Sequence, residues 1–201
     1  MSTENPHKSL GSRKAFRGIP VQETSDAPAQ VTMFSSALCV MTDFRKVPVA
    51  SCSPGDSLPE ATQIMVDRGV RLLLVIDEQD GVVGLITARD TQGERPIKFT
   101  HERGVRHGDI QVRDLMVPAS AIDLLDMHRV MNAQVGDIVA TLKAWGRQHA
   151  LVGATDPETG QTRIRGMFSA TQIGRQLGLQ VQTFDVAHTF AEIQAVLTKT
   201  Y

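Results

Sequence analysis

The sequence predicts an α/β fold made of two βαββα units followed by an amphipathic helix. Three observations carry this expectation. A seven-residue phrase occurs twice, as Gly84-Leu85-Ile86-Thr87-Ala88-Arg89-Asp90 and as Gly166-Met167-Phe168-Ser169-Ala170-Thr171-Gln172. Each copy ends an apolar, strand-like run and opens a helix-like run. The elements ahead of each copy come in the same order, with Gly69 and Gly146 closing the first helix of each unit. Matching order with matching punctuation indicates an internal repeat.

In chain order, residues 1–30 are rich in Ser, Pro, Lys, Arg and Gln without a sustained apolar period, and read as a flexible leader with a mild basic cluster at Lys8, Arg13, Lys14 and Arg17. The first unit, residues 36–92, holds a short strand at Val47–Ser51 and a turn at Ser53–Asp56. Leu58, Ala61, Ile64 and Met65 then follow helical spacing behind Ser57 as N-cap. Leu72–Ile76 is a fully apolar strand, Asp77–Gly81 is a hairpin loop with an Asp-Gly signal, Val82–Ile86 returns, and Thr87 starts a short helix.

Residues 93–112 are polar, with Arg95, Lys98, His101, Arg103, Arg106 and His107, and read as a solvated linker. The second unit, residues 113–180, repeats the order. Ile122–Asp126 is a strand, Val135, Ile138, Val139 and Leu142 mark a helix, and His149–Val152 is a strand. Asp156–Gly160 is a loop, Arg163–Phe168 returns, and Ser169 opens a helix through Leu177. In residues 184–201, Phe190, Ile193, Val196 and Leu197 share one helical face. The polar face lacks a Lys/Arg stripe, so burial on the repeats or in a dimer interface is expected rather than membrane anchoring.

Composition narrows the function. A chain of 201 residues is long enough for a real core, and a net charge of -1 does not call for a phosphate-backbone partner. Aromatics at 4% argue against a stacking platform for single-stranded nucleic acid. Cys39 and Cys52 form neither a disulfide framework nor a zinc pattern, and the six histidines show no metal-ligand spacing. With no hydrophobic core after Met1 and no apolar run near the ~18 residues of a membrane span, a cytoplasmic protein is expected. No nucleophile, base and orienter fall into a motif, and no Gly-Lys-Ser/Thr phosphate loop is present, so an enzyme is not expected.

Two readings fit the repeated phrase. Thr87 to Asp90 and Ser169 to Gln172 both match the capping-box formula, which stabilises a helix start and nothing more. The same strand-to-helix turn can also seat a ligand, with Thr87 bonding a phosphate oxygen, Asp90 accepting from a vicinal diol, and Gly84 letting a flat ring approach the backbone. On that reading Gln172 matters. A neutral amide accepts at one oxygen and also donates, so it suits a diol less well than a carboxylate.

The phrase Gly84 to Asp90, preceded by Leu72 to Asp77 and a Gly-containing hairpin, resembles a cystathionine-β-synthase (CBS) domain, and Val112 to Pro118 resembles the start of a second one. The resemblance covers residues 36–180 and is more specific in the first repeat. It implies a tandem pair, or Bateman module: two repeats packed sheet to sheet with pseudo-two-fold symmetry, leaving two clefts that bind adenine nucleotides or adenosyl compounds. It places Asp90 on ribose hydroxyls and Thr87 near phosphate within the Gly84, Thr87, Asp90 pattern. It sets Val47 and Val49 against the base, and Arg71, His149 and Arg89 toward phosphates. The expected protein is a non-catalytic sensor of AMP, ADP, ATP or S-adenosylmethionine, a homodimer acting on an unidentified protein partner. The first cleft is expected to be competent, and the second, with Gly166, Ser169 and Gln172, impaired. The alternative is a ligand-free scaffold for oligomerisation or protein interaction.

Overall fold

The computed structural model describes residues 31–179. The expected leader and terminal helix lie outside that span. Eight strands and seven α-helices follow in chain order: β1 (Thr42–Asp43), β2 (Ser51–Cys52), α1 (Leu58–Arg68), β3 (Leu72–Ile76), β4 (Val82–Thr87), α2 (Ala88–Gln92), α3 (Glu94–Arg103), α4 (Val112–Leu115), β5 (Val117–Pro118), β6 (Leu124–Asp126), α5 (Met127–Met131), α6 (Val135–Trp145), β7 (His149–Thr155), β8 (Thr162–Ser169) and α7 (Ala170–Gln176).

Local chemistry sets the ends of the two long central helices. Ser57 and Glu60 form a reciprocal capping box at the start of α1, where Ser57 N donates to Glu60 at 2.8 Å. Gly69 ends α1 at φ 63° and Gly146 ends α6 at φ 60°, a left-handed turn that glycine adopts without steric cost. The polar stretch expected as a linker contains α3, which packs Pro96 and Phe99 inward and leaves Ile97 exposed.

Two four-stranded sheets result, in the orders β2-β3-β4-β5 and β1-β8-β7-β6. In each, the first pair is parallel (β2 with β3, β6 with β7) and the following hairpin is antiparallel. The fourth strand of each sheet comes from the other half of the chain. Residues early in the first unit supply β1 to the second sheet, and residues early in the second unit supply β5 to the first. Around these strands, Ala37 and Val40 are buried in the second repeat's core, while Ile110, Val112 and Leu115 are buried in the first's.

This exchange explains the glycine of the repeated phrase. A Cβ built on Gly84 would stand 2.6 Å from the Val117 carbonyl oxygen, and one on Gly166 would stand 2.5 Å from that of Thr42. Both are closer than real Cβ contacts, so each glycine admits the exchanged strand rather than a flat ring of a ligand. β1 is further held by Asp43, whose carboxylate takes both Arg165 Nη atoms, with Nη2 at 2.8 Å from Oδ2 and both side chains 12% exposed.

The apolar run of β3 is covered on both faces. Leu73 and Val75 point into the core under α1. Leu72 and Leu74 point the other way and meet Leu151 of β7, with Val49, Leu85, Ile122 and Met167 packed around them. The two sheets therefore face one another across this cluster, and a cleft opens on either side of it.

Candidate functional site

The larger cleft has a volume of about 460 Å3. One wall is the segment ahead of β2, with Val47, Pro48 and Ala50, and the start of β3, with Leu72 and Leu74. Facing it are Thr42, Phe44 and Met167 together with Ser169 and Gln172, the polar end of the second phrase. Arg68, Arg71 and Arg175 line it, and among the described residues no carboxylate does. Within it the Thr42 hydroxyl donates to Gln172 Oε1 at 3.1 Å, and the Ser169 hydroxyl accepts from Gln172 N at 3.5 Å.

The smaller cleft, about 200 Å3, lies beside the first phrase. Thr87, Leu85, Val117, Ile122, Ala150 and Leu151 line it, along with Asp123 and Arg147, which pair with each other at 3.2 Å. Asp90 does not line it. Its Oδ2 accepts from Thr87 N at 3.0 Å and from Thr87 Oγ1 at 2.6 Å, and its Oδ1 is paired with Arg95. The carboxylate expected to hold a diol is thus engaged by its own helix start and by α3.

The site residues expected from sequence are therefore regrouped. The sequence resemblance groups Val47 and Arg71 with Asp90, but they line the cleft of Gln172. The cause is the face-to-face packing, which sets the open edge of the first sheet against the second repeat's phrase. Val49 packs between the sheets. Arg89 points to solvent and lines neither cleft. Gly84 and Gly166 are filled against by backbone, as described above. Sequence reasoning overlooked Thr42, Phe44, Arg68 and Arg175. Of these only Arg175 carried a local signal, since it follows Gln172 by three residues and so shares its helical face.

Leu72 and His149 line both clefts and form the partition between them. Loss of solvent around the His149 ring, followed by the charge of Arg71, pushes its pKa from 6.5 down to about 4. The ring is therefore neutral at neutral pH. The unfolded chain takes up this proton first, so the contribution of His149 to stability is complete above pH 6.5 and is lost as pH falls toward 4. Thermal melts between pH 7 and pH 4.5 are expected to show a falling Tm with a shallower slope in His149→Leu. Equal slopes in the two proteins would refute this assignment.

Among the described residues, no group of three or more His, Cys, Asp or Glu side chains is placed to hold a metal ion, and no helix is long and apolar enough to cross a membrane.

The sequence model of the CBS domain matches residues 38–91. This segment is a CBS domain. The second repeat has the same strand order and pairing as the matched CBS repeat, so the fold is that of a CBS pair. No curated protein matches the sequence. Among solved structures, an uncharacterized conserved protein from Pyrococcus horikoshii is similar over 76% of this chain and 99% of its own, at 21% identity and a TM-score of 0.53. A CBS-domain-containing protein from Agrobacterium tumefaciens is similar over 68% of this chain and 93% of its own, at 16% identity and a TM-score of 0.49. A CBS-pair protein from Arabidopsis thaliana, solved in complex with AMP, is similar over 71% and 94%, at 18% identity and a TM-score of 0.47. The likeness to the Pyrococcus horikoshii protein, at 21% identity, concerns the fold alone.

Proposed function

We propose that this CBS pair is a non-catalytic regulatory module that binds an adenine nucleotide in the larger cleft. In this reading it acts as a homodimer and signals occupancy to a protein partner through a shift in the arrangement of its repeats. The observation that carries the reading is the make-up of that cleft. Its volume falls within the ~300–1,000 Å3 typical of small-molecule sites. Val47, Phe44 and Met167 offer an apolar seat for a base, Thr42, Ser169 and Gln172 offer hydroxyl and amide partners, and three arginines supply the charge that phosphates require.

The same balance of charge sets ligand choice. Three guanidinium groups without a carboxylate favour anions and oppose the sulfonium cation of S-adenosylmethionine. Titration calorimetry is expected to show one AMP, ADP or ATP bound per chain and no heat from S-adenosylmethionine. Light scattering on the same samples is expected to report a dimer. Absence of binding by all three nucleotides would overturn the reading and leave the scaffold alternative.

A further inference from the structure

We infer that Arg95 of α3 decides which of the two clefts accepts ligand, by holding the acid of the first phrase out of its own cleft. The inference rests on the nucleotide reading above and assigns a role to a residue outside both clefts.

The two phrases have the same backbone plan, so their last residues can be compared directly. Gln172 lines the larger cleft. Asp90, in the same place in the first repeat, does not line the smaller one. The difference lies in the partners. Thr87 N and Thr87 Oγ1 both donate to Asp90 Oδ2, and Arg95 Nη1 pairs with Oδ1. The Asp90 side chain is 12% exposed while that of Arg95 is half-exposed, so the guanidinium covers the carboxylate from the solvent side.

Among the described residues the second repeat has nothing equivalent. Counting on from the phrase, five residues after Asp90 is Arg95, and five residues after Gln172 is Leu177. Leu177 packs against the second core and carries no charge. Among the described residues, then, an internal cation is held on the diol-acceptor position of the first repeat and not on that of the second. A ribose reaching Asp90 must displace a charge-assisted pair that is stronger than the neutral hydroxyl bonds replacing it. The neutral Gln172 faces no such competitor, so the repeat with the less suitable side chain keeps the usable cleft.

Calorimetry with AMP tests this. The wild-type chain is expected to bind one AMP. Arg95→Leu, which copies the second repeat, is expected to bind two, the added site lying beside Thr87 and Asp90. Arg95→Gln removes the charge while keeping a polar stem, and is expected to give the same gain, which separates the effect from packing. Asp90→Ala combined with Arg95→Gln is expected to return the count to one. A count of one in both Arg95 variants with unchanged circular dichroism, or a count of two in the wild type, would overturn the role of Arg95 and leave the nucleotide reading standing. No binding in any of the proteins would remove both.

Discussion

Arg71→Ala is expected to weaken AMP binding by roughly 10- to 100-fold, the loss that goes with a charge-assisted bond of about 1.5–3 kcal/mol. Arg71 follows the turn at Gly69 and stands at the foot of β3, where its side chain lines the larger cleft beside His149. It is the cleft cation with the most direct link to a measurable neighbour, because its charge contributes to the depressed pKa of His149. Removing it therefore has a second expected outcome: the His149 ring titrates at higher pH, readable by NMR in the ligand-free protein. The two readouts separate causes. Weakened binding with an upward shift of His149 places the lost charge in the cleft, whereas unchanged affinity in a folded Arg71→Ala protein would remove Arg71 from the ligand site.

Asp43→Ala is expected to lower stability by roughly 3 kcal/mol, because it leaves the Arg165 guanidinium mostly enclosed without its carboxylate. For a chain of this size that corresponds to a fall in Tm of roughly 6–12 °C. Asp43 lies on the two-residue strand β1, and its bidentate pairing with Arg165 joins that strand to β8. The double variant Asp43→Leu with Arg165→Met removes both charges and is expected to recover most of the loss. A melting temperature within a degree of wild type for Asp43→Ala would show that pairing and apolar burial hold β1 without the ion pair.

Features with a local cause were legible in the sequence. Ser57 caps α1, Gly69 and Gly146 take the left-handed conformation at helix ends, and Asp77 accepts from Gly81 N in the hairpin, each within a few residues of its partner. The apolar runs of β3 and β7 needed no partner to be recognised as strands. The exchange of β1 and β5 was not legible. Two residues carry no periodicity, and Asp43 meets Arg165 122 positions away. Residues 93–112 read as linker because polar side chains dominate them, and α3 within that stretch buries few of its positions. The same limit governed the site. The phrase marked where the clefts lie, but the pairing of Val47 and Arg71 with Gln172 depends on how one sheet lies over the other. The identity of Asp90 alone does not disclose its partner Arg95, which lies in the stretch that reads as linker.

The exchanged strands also bear on how the chain is made. A protein synthesised from its N-terminus often folds one domain while the next is still being translated. Here the first repeat lacks an edge until β5 has emerged, and β1, translated early in the first unit, has no sheet to join until β8 appears. Closing so long a loop is entropically costly and slows folding. The segment around Thr42 and Asp43 therefore remains an unpaired strand until β8 has emerged, and the polar Thr42 and charged Asp43 give it some protection against pairing with a neighbouring chain.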